Sequence, residues 1–224
     1  IKIIGANRPD IVVGNAMKIE GKIISKMIHS TNTAGIMIPG SQYLKNELEF
    51  NTMYMAAWLN LYRREFLINN NLEFKVGLFH EDEHFTPRAF LRAKKVIGTD
   101  IVFYNYIIRS GSITKNKDFS KNAIHIIKIC KELAEIYKTV DDIRLKKLLY
   151  DSLASKYLYA FQMGALYRKE FKNLLDKKFV YSMANRKKTK IKAGLFLFSS
   201  HLYYWLNHFV KKLKLRSILN NASK

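Results

Sequence analysis

The segment Phe79-His80-Glu81-Asp82-Glu83-His84-Phe85 decides how the rest of the chain is read. Taken alone it matches H-E-x-x-H, where two histidines one helical turn apart bind zinc and the glutamate acts as base. Its surroundings oppose that chemistry. Pro87 fits a helix only in its first turn, whereas the zinc pattern needs an established one. Asp82 and Glu83 would crowd the ion with two further carboxylates. The next acid is Asp100 and the next histidine His125, so the usual third ligand is missing. The plainer reading is an acidic first turn, favoured by the partial positive charge of a helix N-terminus and needing no function.

Working outward, the period changes several times. Ile1 to Ile28 carries β-rich runs: Ile11–Val13 is apolar, and Met17–Glu20, Gly21 and Lys22–Ser25 read as a hairpin with glycine at the bend. Thr31–Ser41, with Gly35, Pro39 and Gly40, reads as a loop. From Thr52, residues Met55, Trp58, Leu59, Tyr62 and Phe66 fall at helical spacing, and Asn69-Asn70-Asn71 ends that helix. Leu72–Phe74 reads as a short strand. A helix follows Asp82, with Phe85, Ala89, Phe90 and Ala93 on one face. Ile101–Ile107 is the clearest strand, and Arg109-Ser110-Gly111-Ser112 closes it as a turn. Beyond Asp118 the chain reads as all-helical: Phe119, Ala123, Ile127, Cys130, Ala134 and Tyr137 form one stripe, and Asp141 is a cap for the next helix.

The 224 residues, 48% hydrophobic, suffice for a full domain with an appendage. A single cysteine, Cys130, excludes an internal disulfide and reads as a packed thiol in a reducing compartment. The net charge of +21 is uneven. Lys177 to Lys224 holds twelve Lys or Arg and no acid, against 27 basic and 18 acidic residues elsewhere. Such a tail implies an anionic partner surface, membrane or nucleic acid.

In order, the chain runs Trp58-x-x-x-Tyr62-Arg63-Arg64-x-Phe66-Leu67, Leu72-x-Phe74-x-x-Gly77 and His80-Glu81-Asp82-x-x-Phe85. Ala93-Lys94-x-Val96 and Tyr104-x-Tyr106-x-x-Arg109-x-Gly111-Ser112-Ile113 follow. Over roughly residues 1–115 this resembles the second half of bacterial family-2 glycosyltransferases of the GT-A type, particularly those building capsule and lipopolysaccharide sugars. The resemblance implies an α/β fold, an incomplete Rossmann-like mixed-sheet domain followed by an α-helical C-terminal region. With the change of period near residue 117 and the basic run beyond, the chain divides into an acceptor-side half over 1–116, a helical extension over 117–180 and a basic, amphipathic, membrane-associating tail over 181–224.

The resemblance also implies roles. The Glu-Asp pair lies at a helix start beneath the acceptor site, so Asp82 becomes the general base of an inverting transfer from a nucleotide-sugar donor. That chemistry suits the position. A carboxylate opposite the leaving nucleotide takes the proton as the acceptor hydroxyl attacks the anomeric carbon, and a helix N-terminus keeps it ionised and oriented. Glu81 is its catalytic neighbour. His80 and His84 are candidates to bond acceptor hydroxyls or the pyrophosphate. Trp58, Tyr62 and Phe66 are candidates to stack on an acceptor sugar or to fill the core; Trp58 corresponds to a position that borders the acceptor cleft in the family, whereas helical spacing favours core for Tyr62 and Phe66. Arg109 could pair bidentately with a diphosphate or be a solvated turn residue; Ser112 lies beside it. The chain contains no Asp-x-Asp and no glycine-rich phosphate loop. The nucleotide pocket and the Mg or Mn site are therefore expected ahead of Ile1, and the chain reads as a fragment of a hexosyltransferase, inactive alone.

Between Lys192 and Lys211 lie eighteen uncharged residues, just under the ~20 needed to span a bilayer. Polar residues interrupt them, aromatic residues crowd them, and basic clusters flank both ends. This pattern reads as an interfacial helix drawn to anionic lipid, which fits a lipid-linked or glycan acceptor at the inner face of the cytoplasmic membrane. Nucleic acid is not the expected partner, since no binding-fold signature accompanies the basic residues. The rival reading is a non-catalytic basic module that binds membrane or nucleic acid.

Overall fold

The computed structural model describes residues 5, 8–30, 35–108 and 118–222. It divides into two compact units: Ile1–Lys117 with Val140–Leu148, and Asp118–Thr139 with Leu149–Lys224. The first is α/β and the second helical.

The first unit is built on β1 (Ile11–Glu20), whose first six residues are buried or nearly so, as in a strand covered on both faces. Strand β2 (Ile23–Met27) folds back on its second half as the hairpin read from the sequence. Gly21 takes φ +60° at the bend, a backbone region that glycine enters without steric penalty. Two-residue strand β3 (Met37–Ile38) leads into helix α1 (Gly40–Phe50), where the sequence suggests only a loop. Gly40 is obligatory there by contact: a Cβ on it would meet the Phe90 carbonyl oxygen at 2.0 Å.

The helix expected from Thr52 does not form. A 3₁₀ turn, Ala57–Leu59, gives way to strand β4 (Asn60–Tyr62), and only then does helix α2 (Arg64–Asn69) begin. The apolar residues fall at helical spacing by coincidence, because a three-residue strand is too short to show its own period. Leu72–Phe74 is not a strand. Helix α3 (Glu81–Arg92) starts as expected but carries Pro87 in its interior. Its ring is buried, and the helix continues for five residues past it.

Strand β5 (Val96–Ile107) completes the sheet, lying parallel to β1 and antiparallel to β3, while β4 pairs antiparallel with Ile11–Val13. The register slips between Val13↔Gly98 and Asn15↔Val102, leaving extra residues on β5. Polar groups bridge the bulge: the Thr99 hydroxyl donates to the Val13 carbonyl at 3.0 Å, and the Asn15 amide donates to the Thr99 carbonyl at 3.2 Å. The sheet is thus mixed, and its connection from β1 to β5 carries all three helices.

Asp10 locks this arrangement. Its backbone N–H donates to the Lys95 carbonyl at 2.7 Å and its carbonyl accepts from Arg63 N–H at 2.9 Å. One carboxylate oxygen pairs with the Arg63 guanidinium; the other accepts the N–H groups of Lys94 and Lys95 at 2.8 and 3.0 Å. Burial by itself would raise the Asp10 pKa, but these bonds and the Arg63 charge outweigh it and hold the carboxyl below its ordinary value. A second buried carboxylate, Glu47, accepts Ser30 N–H at 2.8 Å and the Thr52 hydroxyl at 2.6 Å, tying α1 to both flanking loops.

In the second unit, α4 (Ser120–Tyr137) buries the stripe Ala123, Ile127, Cys130, Ala134 and Tyr137. Helix α5 (Ile143–Met163) starts in the first unit. Its cap is Asp142, not Asp141: the Asp142 carboxylate accepts Leu145 N–H at 2.9 Å. After a 3₁₀ turn (Lys169–Leu174) come α6 (Lys177–Met183), α7 (Lys187–Phe198) and α8 (Ser200–Ala222). Buried Asp151 on α5 fixes the start of α7. It accepts the N–H groups of Asn185 and Arg186, both at 2.8 Å, and the Thr189 hydroxyl at 2.9 Å.

Two stability predictions follow from these carboxylates. Asp10→Asn should cost about 2–3 kcal/mol at pH 7, by loss of charge-assisted bonds. Because its pKa is lowered on folding, the contribution is present above the unfolded value of about 3.9 and fades as pH falls through the folded one. Urea unfolding should therefore show the gap to wild type closing in acid; a gap independent of pH would remove the ionised form from the account. Asp151→Ala strands three donors and should cost about 2–4 kcal/mol, seen as earlier melting and faster proteolysis near residues 184–190. Unchanged melting would show that water replaces the carboxylate.

Candidate active site

The site assembles around the start of α3. His80 occupies the N-cap position with φ 61°, in the left-handed region where a side chain is strained. Its carbonyl accepts Glu83 N–H at 3.0 Å, closing the first turn. Glu81, Asp82 and Glu83 make that turn wholly acidic. Asp82 is partly buried and its carboxylate also accepts Glu83 N–H, at 2.8 Å, whereas Glu81 is exposed. The free N–H groups of a helix start favour a carboxylate held here in ionised form.

His84 lies one turn further in, buried, with Nδ1 at 3.4 Å from the Arg88 guanidinium. A cation at that distance opposes a metal ion on the same ring. Among the described residues no group of three or more His, Cys, Asp or Glu could hold a metal.

The floor is aromatic. Phe85 meets Tyr62 edge-on at 5.4 Å and Phe74 at 4.4 Å. The Thr86 hydroxyl donates to the Met55 carbonyl at 2.7 Å, pinning α3 to the segment that leads into β4. Tyr62, brought here by β4, accepts from the Asn60 amide at 3.0 Å. Burial pushes its phenol up to about 12; hydrogen bonds with Thr86 and Asn60 oppose the rise, and the Asp82 charge adds to it. Tyr62 is thus within electrostatic reach of Asp82 and stays protonated.

Trp58 sits on the adjacent 3₁₀ turn, partly buried, stacked on Tyr104 at 4.5 Å and tilted against Tyr106 at 5.3 Å. A cleft of about 260 Å³ opens beside β4, with Arg8, Val12, Leu61, Tyr62 and Arg63 in its lining. The structure therefore gathers Glu81, Asp82, His80 and His84 on one helix start and brings Tyr62 to it. Arg109 and Ser112 lie outside the described residues. Helical spacing favours a core role for Tyr62 over acceptor stacking; the structure instead places it on β4, a strand whose buried polar Asn60 and exposed apolar Leu61 leave no alternation to read from sequence.

No family model matches the chain. An Escherichia coli (strain K12) protein described as the uncharacterized glycosyltransferase YibD is 24% identical over 108 residues, covering 45% of this chain and 31% of YibD. The crystal structure of Staphylococcus aureus TarS 1–349 in complex with UDP-GlcNAc matches with a TM-score of 0.50 at 14% identity, over 89% of this chain and 61% of that one. At that identity the likeness shows the fold. The chain thus has weak sequence similarity to a protein described as a glycosyltransferase and shares an α/β fold with the TarS structure. It spans about a third of YibD's length and under two thirds of the TarS chain.

The strained N-cap gives a prediction. His80→Gly relieves a left-handed φ and should raise stability by about 1 kcal/mol, measured by thermal or denaturant unfolding. A loss of stability would mean that the contacts of the His80 side chain outweigh the backbone strain.

Proposed function

We propose that this chain is the acceptor-side part of an inverting glycosyltransferase of the GT-A, family-2 type that extends a bacterial capsule or lipopolysaccharide glycan. The observation that carries the reading is the partly buried Asp82 carboxylate, held by Glu83 N–H at the start of α3. The similarity to YibD and the fold shared with TarS support sugar transfer in general. TarS was crystallised with UDP-GlcNAc, which supports a nucleotide-sugar donor here.

In this reading an acceptor hydroxyl lies over the start of α3. Asp82 accepts its proton as the oxygen attacks the anomeric carbon. The bond from that carbon to the nucleotide diphosphate breaks, and the configuration inverts. Glu81, exposed next to it, binds the acceptor. Trp58 borders the acceptor cleft, with its ring fixed by Tyr104 and Tyr106. His80 and His84 are assigned to acceptor hydroxyls or the pyrophosphate, and Arg109 and Ser112 to the donor diphosphate. A divalent ion, Mg or Mn, would neutralise the departing diphosphate; its ligands are assigned to sequence ahead of Ile1, not to residues of this chain. The enzyme is placed at the inner face of the cytoplasmic membrane, acting on a lipid-linked or glycan acceptor, because residues from Lys177 onward are basic without any acid. Among the described residues no helix is long and apolar enough to cross a membrane.

Asp82→Asn in the complete protein should lower turnover by about 10³-fold or more while donor binding stays within a few fold, since the base acts only on the acceptor. Radiolabel transfer and donor calorimetry measure the two. Retained turnover would remove Asp82 from the base role.

A further inference from the structure

Helix α8 presents two different faces. Tyr203 points inward, 4% exposed, against Phe161 at 6.0 Å and Phe196 at 5.6 Å. Tyr204 packs on Tyr167 at 4.2 Å, and its carbonyl accepts from the Gln162 amide at 3.4 Å. The partly buried Asn207 amide bonds the Tyr203 carbonyl at 2.8 Å, continuing this packed side. These contacts fix the rotation of the helix on its own unit.

With that rotation set, Leu202, Trp205, Leu206, Phe209 and Leu213 all turn outward. They recur at spacings of three and four residues, which places them on one stripe. Trp205 is 52% exposed, Phe209 60% and Leu213 48%, so packing within the unit does not account for them. Soluble proteins rarely leave a contiguous apolar stripe of this kind without an occupant. At the end of α7, Phe198 is 83% exposed and adds to the apolar surface.

The charges of this segment of chain, one of them at the stripe itself, choose the occupant. Lys212 borders its cleft. On α7, Lys187, Lys188, Lys190 and Lys192 are exposed. No Asp or Glu occurs from Lys177 to Lys224. A second copy meeting this face would set like charges against like, and a neutral apolar partner would gain nothing from the lysines. An anionic lipid surface satisfies both features: the stripe enters the acyl boundary, Trp205 takes the interfacial position that indole favours, and lysines meet the headgroups.

We infer that α8 is an in-plane membrane anchor that inserts the stripe Leu202, Trp205, Leu206, Phe209 and Leu213 into the surface of an anionic bilayer. This rests on the peripheral-membrane reading above and deepens it by naming the inserting face. It is independent of sugar transfer. Binding depends on anionic lipid for capture and on the stripe for retention, so moderate salt weakens it without abolishing it.

The test uses the complete protein and vesicles of phosphatidylcholine with and without phosphatidylglycerol. Trp205 emission, taken as the difference between wild type and Trp205→Phe, should shift to shorter wavelength on the anionic vesicles and much less on neutral ones. The double variant Leu206→Glu with Phe209→Glu should weaken vesicle partitioning by about tenfold or more. Both positions are exposed, so circular dichroism and melting should match wild type. Wild-type binding that survives the double variant, with no Trp205 shift, would overturn the inserting face while leaving membrane association standing. Absence of wild-type binding would overturn both. A dimer in sedimentation velocity that the double variant dissociates would assign the stripe to a second copy, and vesicle-independent binding of RNA lost in the same variant would assign it to nucleic acid. Either result overturns the proposal.

Discussion

The first unit hangs on one buried carboxylate. Asp10 stands at the mouth of β1 and engages two distant junctions at once: Arg63, where β4 turns into α2, and Lys94-Lys95, where α3 gives way to β5. Three chain segments meet on a single side chain. Without it, β4 and β5 would keep their ladders to β1 and the Thr99 and Asn15 bonds at the bulge, but would lose the polar tie that joins both of their junctions to the start of β1. Burying a charge is costly unless its lone pairs are filled. Here they are filled by one guanidinium and two backbone N–H groups, so the cost becomes geometric specificity. The position of Tyr62 against Phe85 of α3 is inherited from that clamp, because β4 carries Tyr62 and α3 ends at the Lys94 side of it.

What the sequence revealed and what it hid follow from the range of the interactions involved. The β1–β2 hairpin was readable because Gly21 and its flanking alternation lie within ten residues. The β5 strand is readable over Ile101–Ile107 from its β-branched and aromatic residues, whereas its buried beginning at Val96–Gly98 is too short and is broken by Gly98. The α4 stripe was readable over five turns. Helix α1 was hidden: it opens on Pro39-Gly40, and its buried side includes Gly40 and the carboxylate Glu47 beside Tyr43, Leu44 and Leu48. The stretch from Met55 to Phe66 misled because a 3₁₀ turn, a three-residue strand and a short helix together mimicked one helical period. Asp10 gave no local signal at all, since its partners are 53 and 84 residues away.

The candidate site divides the same way. Locally, Glu81 and Asp82 show only an acidic start to an apolar-faced helix, which the structure has; their proposed roles come from the resemblance over residues 1–115. The aromatic surroundings could not be read locally. Trp58 stacks on a tyrosine of β5, and Tyr62 reaches Asp82 only through sheet pairing, so neither neighbour is implied by spacing. Pro87, which argues from sequence for a helix just beginning, lies buried in the interior of α3. Tertiary packing overrode a local rule at the very helix that carries the proposed base.

The parallel pairing of β1 with β5 has a consequence for how the chain comes to be. Val13 lies opposite Gly98, so the ladder closes a loop of some eighty residues that contains every other element of that sheet. Such a closure is entropically late. During synthesis β1 must wait, with one edge unclaimed, until β5 has left the ribosome. The hairpin with β2 occupies half of the opposite edge meanwhile. The exposed backbone of β1 is therefore a window in which misassembly or chaperone capture would act, and its length is set by translation of the segment between Val13 and Gly98.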